Sequence, residues 1–124
     1  LAYLPAFPAI EEVLQHNRRR IRHVTRRATT IGYGPRFLHS TGQLHKGGTP
    51  NGLFFVFTCD DPADKAIPGQ SYSFGTLKAA QALGDVEALV ARGKRVLRIH
   101  LGADILKGFE KFSHAIDLAE ARKH

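Results

Sequence analysis

Apolar residues recur along this chain with two different periods. Ile10, Val13, Leu14, Ile21, Val24 and Ala28 fall at helical spacing. Glu11 and Glu12 occupy the first turn of that helix and arginines the later ones, the polarity that a helix macrodipole favours. An irregular lead-in with Pro5 and Pro8 precedes it, and Thr29, Thr30 and the run Gly32-Tyr33-Gly34-Pro35 stop it. Pro35 suits the first turn of a second helix, over 36–46. GLFFVFTC (52–59) is continuously apolar and too short for a buried helix, so it reads as a strand covered on both faces. Turn chemistry fills 60–72. Ser73 can cap a helix through Gln81 that ends around Gly84, and Asp85 a further turn or two through Val90, ending at Gly93. KRVLRIHL (94–101) is a second strand, and 103–122 a final helix with Ile105, Leu106, Phe109, Phe112, Ile116 and Leu118 as its apolar positions.

The predicted order is helix, helix, strand, helix pair, strand, helix. Strands separated by helices of this length imply a right-handed βαβ crossover and parallel pairing. Two parallel strands do not make a stable sheet, so the fold class is α/β, as part of a larger sheet.

A length of 124 residues is enough for one modest core. The chain starts at Leu1 and contains no Met, which reads as a domain or processed part of a longer product. LAYLPAFPAI is too short, too rich in proline and too poor in basic residues for a signal peptide or a spanning helix, so no membrane association is expected. The single cysteine, Cys59, excludes an internal disulfide. At the end of an apolar strand it reads as a buried structural thiol, with a reducing cytoplasm as its natural setting.

Charge changes the picture more. The net charge is +7, and no acidic residue stands between Glu12 and Asp60. That interval holds Arg18, Arg19, Arg20, Arg22, Arg26, Arg27, Arg36 and Lys46, while the rest of the chain carries ten basic and eleven acidic residues. Such a field favours an anionic partner: a phosphorylated metabolite, a nucleic acid or an acidic protein surface. No aromatic residue interleaves RRRIRHVTRR (18–27) for base stacking, so a solvated or salt-bridged face is the better reading of that stretch.

The residues suited to chemistry lie in RFLHSTGQLHKGG (36–48). On a helix, Arg36, His39, Ser40, Gln43 and Lys46 share one polar face, opposite Phe37, Leu38, Thr41 and Leu44. Solvated faces normally use Glu and Lys; His, Ser and Gln are an unusual choice. His39 has the chemistry of a general acid or base near neutral pH. His45 sits nearer the boundary of the two faces and reads as structural. Metal ligation is disfavoured, since His39 and His45 are not at i, i+4 spacing and no carboxylate is near them in sequence. HKGGTPNG lacks the Walker spacing of a phosphate loop. Lys78 stands in the first turns of a helix, against the preference of the dipole, as cations that meet an anionic ligand sometimes do.

ATTIGYGPRFLHSTGQLHKGG, the short aromatic strand, IPGQSYSFGTLKAAQALGD and GKRVLRIHL together resemble the C-terminal end of bifunctional transaldolase/glucose-6-phosphate isomerases. The likeness runs from about Tyr3 to Gly102; the family usually has GGPNTG where this chain has Gly47-Gly48-Thr49-Pro50-Asn51-Gly52. The resemblance implies the last part of a second sugar-isomerase (SIS) subdomain, a three-layer α/β sandwich with a mainly parallel sheet. It implies interconversion of glucose 6-phosphate and fructose 6-phosphate through an enediol, without a cofactor. His39 then corresponds to the ring-opening histidine and Lys78 to a catalytic lysine of a terminal helix. Arg36, Ser40, Gln43 and Lys46 become substrate-binding residues. The same likeness implies a site at the interface of a homodimer or higher oligomer. It also places the base carboxylate, the phosphate-binding Ser/Thr loops and the transaldolase domain upstream, so the chain alone is expected to be inactive. Two other classes stay open: a freestanding sugar-phosphate-binding or regulatory module, and, less favoured, a basic nucleic-acid-binding domain.

Overall fold

The structure is a computed structural model and describes residues 1–36, 42–49 and 51–123. Its elements in chain order are β1 (Ala2–Tyr3), α1 (Pro8–Thr25), α2 (Gly42–Gly47), β2 (Leu53–Thr58), α3 (Phe74–Ala91), β3 (Arg95–His100) and α4 (Ile105–Ala121). The three strands form one open, all-parallel sheet in the order β1-β2-β3. β2 and β3 pair along their whole length, from Leu53 opposite Arg95 to Thr58 opposite His100.

The expected α/β class and the parallel pairing are present, and the lead-in proves to be less irregular than its prolines suggest. Ala2 and Tyr3 form a strand because both of their edges are hydrogen-bonded. On one side the Phe57 N–H donates to the Leu1 carbonyl at 2.8 Å. On the other, Ala2 donates to the Gly32 carbonyl and Gly34 to the Ala2 carbonyl, at 2.8 and 2.9 Å. Tyr33 thus bridges Ala2 in parallel and extends the sheet beyond β1. The chain steps outward from β1 to Tyr33, then back across β1 to β2 and onward to β3. With crossovers of one hand, that reversal of direction puts the connecting helices on opposite faces.

The core divides accordingly. On one face Phe57, Leu4 and Leu101 pack with Ile10 and Leu14 of α1 and Phe109 of α4. The Phe57 ring lies 5.2 Å from Phe109 and 5.1 Å from Phe112, centroid to centroid, in the tilted and edge-on geometries that aromatic quadrupoles favour. Gly108 permits this approach of α4: a Cβ there would stand 2.5 Å from the Leu101 carbonyl oxygen. On the other face Tyr3, Val56 and Ala82 of α3 form a second cluster, with Val86 and Val96 packed on it.

Three expectations need correction. The helix pair over 73–90 is one continuous helix, α3. Ser73 caps it as expected, accepting from the Thr76 N–H at 3.1 Å. Gly84 lies within it in open space, and Asp85 caps nothing, because it is buried on the inner face with Ala82 and Leu89. The second correction concerns coverage. β2 is buried only from Val56 to Thr58, and Leu53 at its start is 55% exposed. Among the described residues no further strand lies beside β3 in this sheet, and Leu97 is 52% exposed. α1 also ends earlier than its apolar period, since Arg26 turns left-handed at φ 53° and the Thr25 hydroxyl donates back to the Ile21 carbonyl.

Candidate functional site

The parallel strands all point their carboxyl ends to one edge, where doubly wound sheets hold their ligands. Three polar groupings meet there. Lys78, in the second turn of α3, pairs with Asp61 at 2.5 Å, each side chain roughly two-thirds or more covered. Asp64 receives the Gly75 N–H at 2.7 Å, the Lys65 N–H at 2.8 Å and the Ser73 hydroxyl at 2.5 Å, which fastens the 60–73 loop to the start of α3. The Ser73 hydroxyl first, then the Gly75 N–H, hold the Asp64 carboxyl below its ordinary value. Gly75 is required by that closeness, since a Cβ would fall 2.7 Å from a carboxylate oxygen of Asp64.

The third grouping is His100, whose two ring nitrogens are both engaged. Nδ1 lies 2.9 Å from the Thr58 hydroxyl and Nε2 2.9 Å from Asp60 Oδ1. An ionised Asp60 only accepts, so in the neutral ring Nε2 carries the proton and Nδ1 accepts from Thr58. Cys59 lies between these groups on the chain, buried, and burial pushes its thiol above the ordinary value despite the opposing charge of Lys78. It is thereby a packed thiol rather than a nucleophile.

Lys46 is anchored elsewhere on the same helix. Its ammonium lies 2.8 Å from Asp85, seven residues beyond Lys78 and so on the same side of α3, about 10 Å along the axis. Asp85 also accepts from the Tyr3 hydroxyl, and burial first, then this bond, raise the Tyr3 pKa. The loop between α2 and β2 is tied to the start of β3 by Lys94, which donates to the Gly48 carbonyl, and by Arg95, which donates to the Asn51 carbonyl at 3.0 Å. His45 stands edge-on to Phe54 at 5.6 Å, and burial lowers its pKa, in keeping with a structural role.

Of the residues singled out from the sequence, Lys78 and Lys46 are thus placed along one helix. Arg36 is exposed and lies outside α2. The chain leaves the Tyr33 bridge parallel to β1, toward the carboxyl edge, with Gly34 directly under the Tyr3 ring. His39 and Ser40 lie outside the described residues, as does the side chain of Gln43, whose backbone belongs to α2. Asp60, Asp61 and His100 escaped the reading of the sequence as a cluster. Their one signal was a pair of aspartates directly after an apolar strand, and the strand register that completes the cluster is a tertiary fact.

A recess at the carboxyl edge, on the face of α1 and α4, is lined by Phe7, Ile10, Ile105, Leu106 and other largely apolar residues, with Asp104 its one charge among the described residues. It offers no cation to a phosphate. Among the described residues no helix is long and apolar enough to cross a membrane. No family model, no curated protein and no solved structure matches the chain.

Proposed function

We propose that this chain forms one wall of an aldose–ketose isomerase site that interconverts glucose 6-phosphate and fructose 6-phosphate, as the C-terminal part of a cytoplasmic bifunctional transaldolase/glucose-6-phosphate isomerase. The observation that carries the reading is the position of Lys78, against Asp61 at the carboxyl edge of a parallel sheet. The GYGPR segment, whose likeness to the isomerases is the most specific, leaves its bridge to β1 toward that same edge.

Enediol chemistry moves a proton between adjacent carbons and stabilises a developing oxyanion. Lys78 supplies the positive charge for the oxyanion once substrate competes with Asp61. His39, a short stretch beyond Arg36, supplies the acid–base group for ring opening. The sugar-phosphate dianion is drawn by the net charge of +7. The proton on carbon is moved by a carboxylate contributed from the rest of the polypeptide or from a second subunit.

A coupled glucose-6-phosphate isomerase assay on the full gene product and on residues 1–124 tests the reading. Activity in the full product alone is expected. Activity in neither overturns it and favours a sugar-phosphate-binding module.

A further inference from the structure

Carboxylates hold three of the helical cations of this chain and leave a group at the end of α1 unpaired. Arg20 pairs with Asp117, Lys46 with Asp85 and Lys78 with Asp61, while Arg18 donates to Gln15 and to the Thr29 carbonyl. Among the described residues, the guanidinium groups of Arg19, Arg22, Arg26 and Arg27 have neither an ion pair nor a hydrogen bond.

These side chains are arranged, not scattered. Arg19, Arg22, His23 and Arg26 stand at i, i+3, i+4 and i+7, so they form one stripe down the last turns of α1 and its cap. Arg26 then adopts φ 53°, ψ 34°, an uncommon conformation for a side chain of its kind, with its N–H closing on the Arg22 carbonyl at 2.8 Å. The turn carries Arg27 and Ala28 across the end of the stripe. The six residues surround a recess of about 660 Å³ that no carboxylate among the described residues lines. Lys123, from the end of α4, donates to the Val24 carbonyl at 3.0 Å and brings a further cation to this end of the molecule.

Like charges at helical spacing repel one another, and an anion that bridges them removes the repulsion. Each guanidinium presents a planar fork of N–H donors that matches phosphate oxygens, and several converging forks match several phosphates better than one. The recess has the size of a small-molecule site, not of an extended track, and no aromatic residue lines it to stack a base. α1 starts just beyond the carboxyl end of β1 and runs back, so its last turn lies at the opposite edge of the sheet from Lys78. We propose that this recess binds a compact polyphosphorylated molecule, with two or more phosphate groups, as a ligand separate from the substrate of the carboxyl-edge site. This site does not depend on the isomerase reading.

Titration calorimetry of the full gene product with inorganic tripolyphosphate and with orthophosphate tests the proposal. Tripolyphosphate is expected to bind at least about tenfold more tightly than orthophosphate, and Arg22→Gln/Arg26→Gln to weaken it by about tenfold or more. Lys107→Gln/Lys111→Gln removes the same charge from exposed positions of α4 and is expected to stay within about twofold. Arg27→Gln, beyond the helix, is the second variant should the double one fail to fold, and should weaken binding in the same direction. Absence of saturable binding, equal losses in the α1 and α4 variants, or a random-sequence DNA duplex that binds more tightly than tripolyphosphate would each overturn the proposal.

Discussion

The Tyr3 hydroxyl donates to the buried carboxylate of Asp85, which joins the first strand to the middle of α3 across most of the chain's length. Lys46 completes the arrangement from α2. Asp85 is only 3% exposed, so its charge is tolerable only because both partners are in place. Asp85→Ala is expected to cost about 3–5 kcal/mol, the range for breaking a buried pair and stranding its partner. Tyr3→Phe keeps the ring over Gly34 and removes one charge-assisted bond, so its cost should be nearer 1.5–3 kcal/mol, on the order of such a bond. Urea midpoints for the two variants check the order; an Asp85→Ala variant as stable as the parent would contradict this account of the seam.

Two glycines of the helices should respond in opposite directions to alanine. Gly108→Ala drives a methyl group against the Leu101 carbonyl and is expected to destabilise by about 1–3 kcal/mol through overpacking. Gly84→Ala meets nothing within 4 Å inside α3 and should stabilise by about 0.5–1 kcal/mol through helix propensity. Thermal unfolding of both variants separates packing from propensity.

Burial holds the His45 imidazole below its ordinary value. The unfolded chain therefore takes up that proton first as pH falls, and the folded state loses stability on acidification below about pH 6.5 but not above it. His45→Gln should flatten that part of the curve. Urea midpoints compared at about pH 7.5 and 5.5 supply the test; an equal acid loss in parent and variant would assign it to other groups.

The elements with a clear apolar pattern were legible in the sequence: β2, β3 and α4 lie where their apolar residues place them, and α1 does so as far as Thr25. β1 was not. Two residues in front of Pro5 carry no periodicity, and what makes them a strand is the set of hydrogen bonds that the segment makes to the Gly32 carbonyl and receives from the Gly34 and Phe57 N–H groups. Asp85 was misleading for a related reason. An Asp after a Gly reads as a cap, because capping is local, whereas its true partners come from Tyr3 and Lys46. Lys78 stood out by its place in the helix, but Asp61 as its partner, and His100 beside Thr58 and Asp60, depend on how the 60–73 loop folds back and on strand register.

That register makes a prediction about the proton on His100. With Asp60 accepting at Nε2 and Thr58 donating to Nδ1, the neutral ring should be the Nε2–H tautomer, readable from its nitrogen-15 shifts. Asp60→Ala removes the acceptor that selects it and should shift the tautomer balance. A parent ring found as Nδ1–H would contradict the geometry.

The isomerase reading places a working lysine against Asp61. Lys78→Ala in the full gene product should lower kcat by about 10²–10⁴-fold, the scale of a lost acid–base or charge-stabilising group, with a smaller change in KM. Asp61→Asn should leave most of kcat in place, because it takes away a resting partner and not a group that acts on the sugar.

His39 bears on the central claim most directly, and the measurement is kcat for glucose 6-phosphate isomerisation by the full gene product with His39→Ala. A ring-opening role predicts a fall of about 10²-fold or more on the closed pyranose. It also predicts that much of the rate survives on substrate supplied in its open-chain form. An unchanged kcat on the closed sugar in a folded variant would contradict the assignment and remove this chain from the isomerase site.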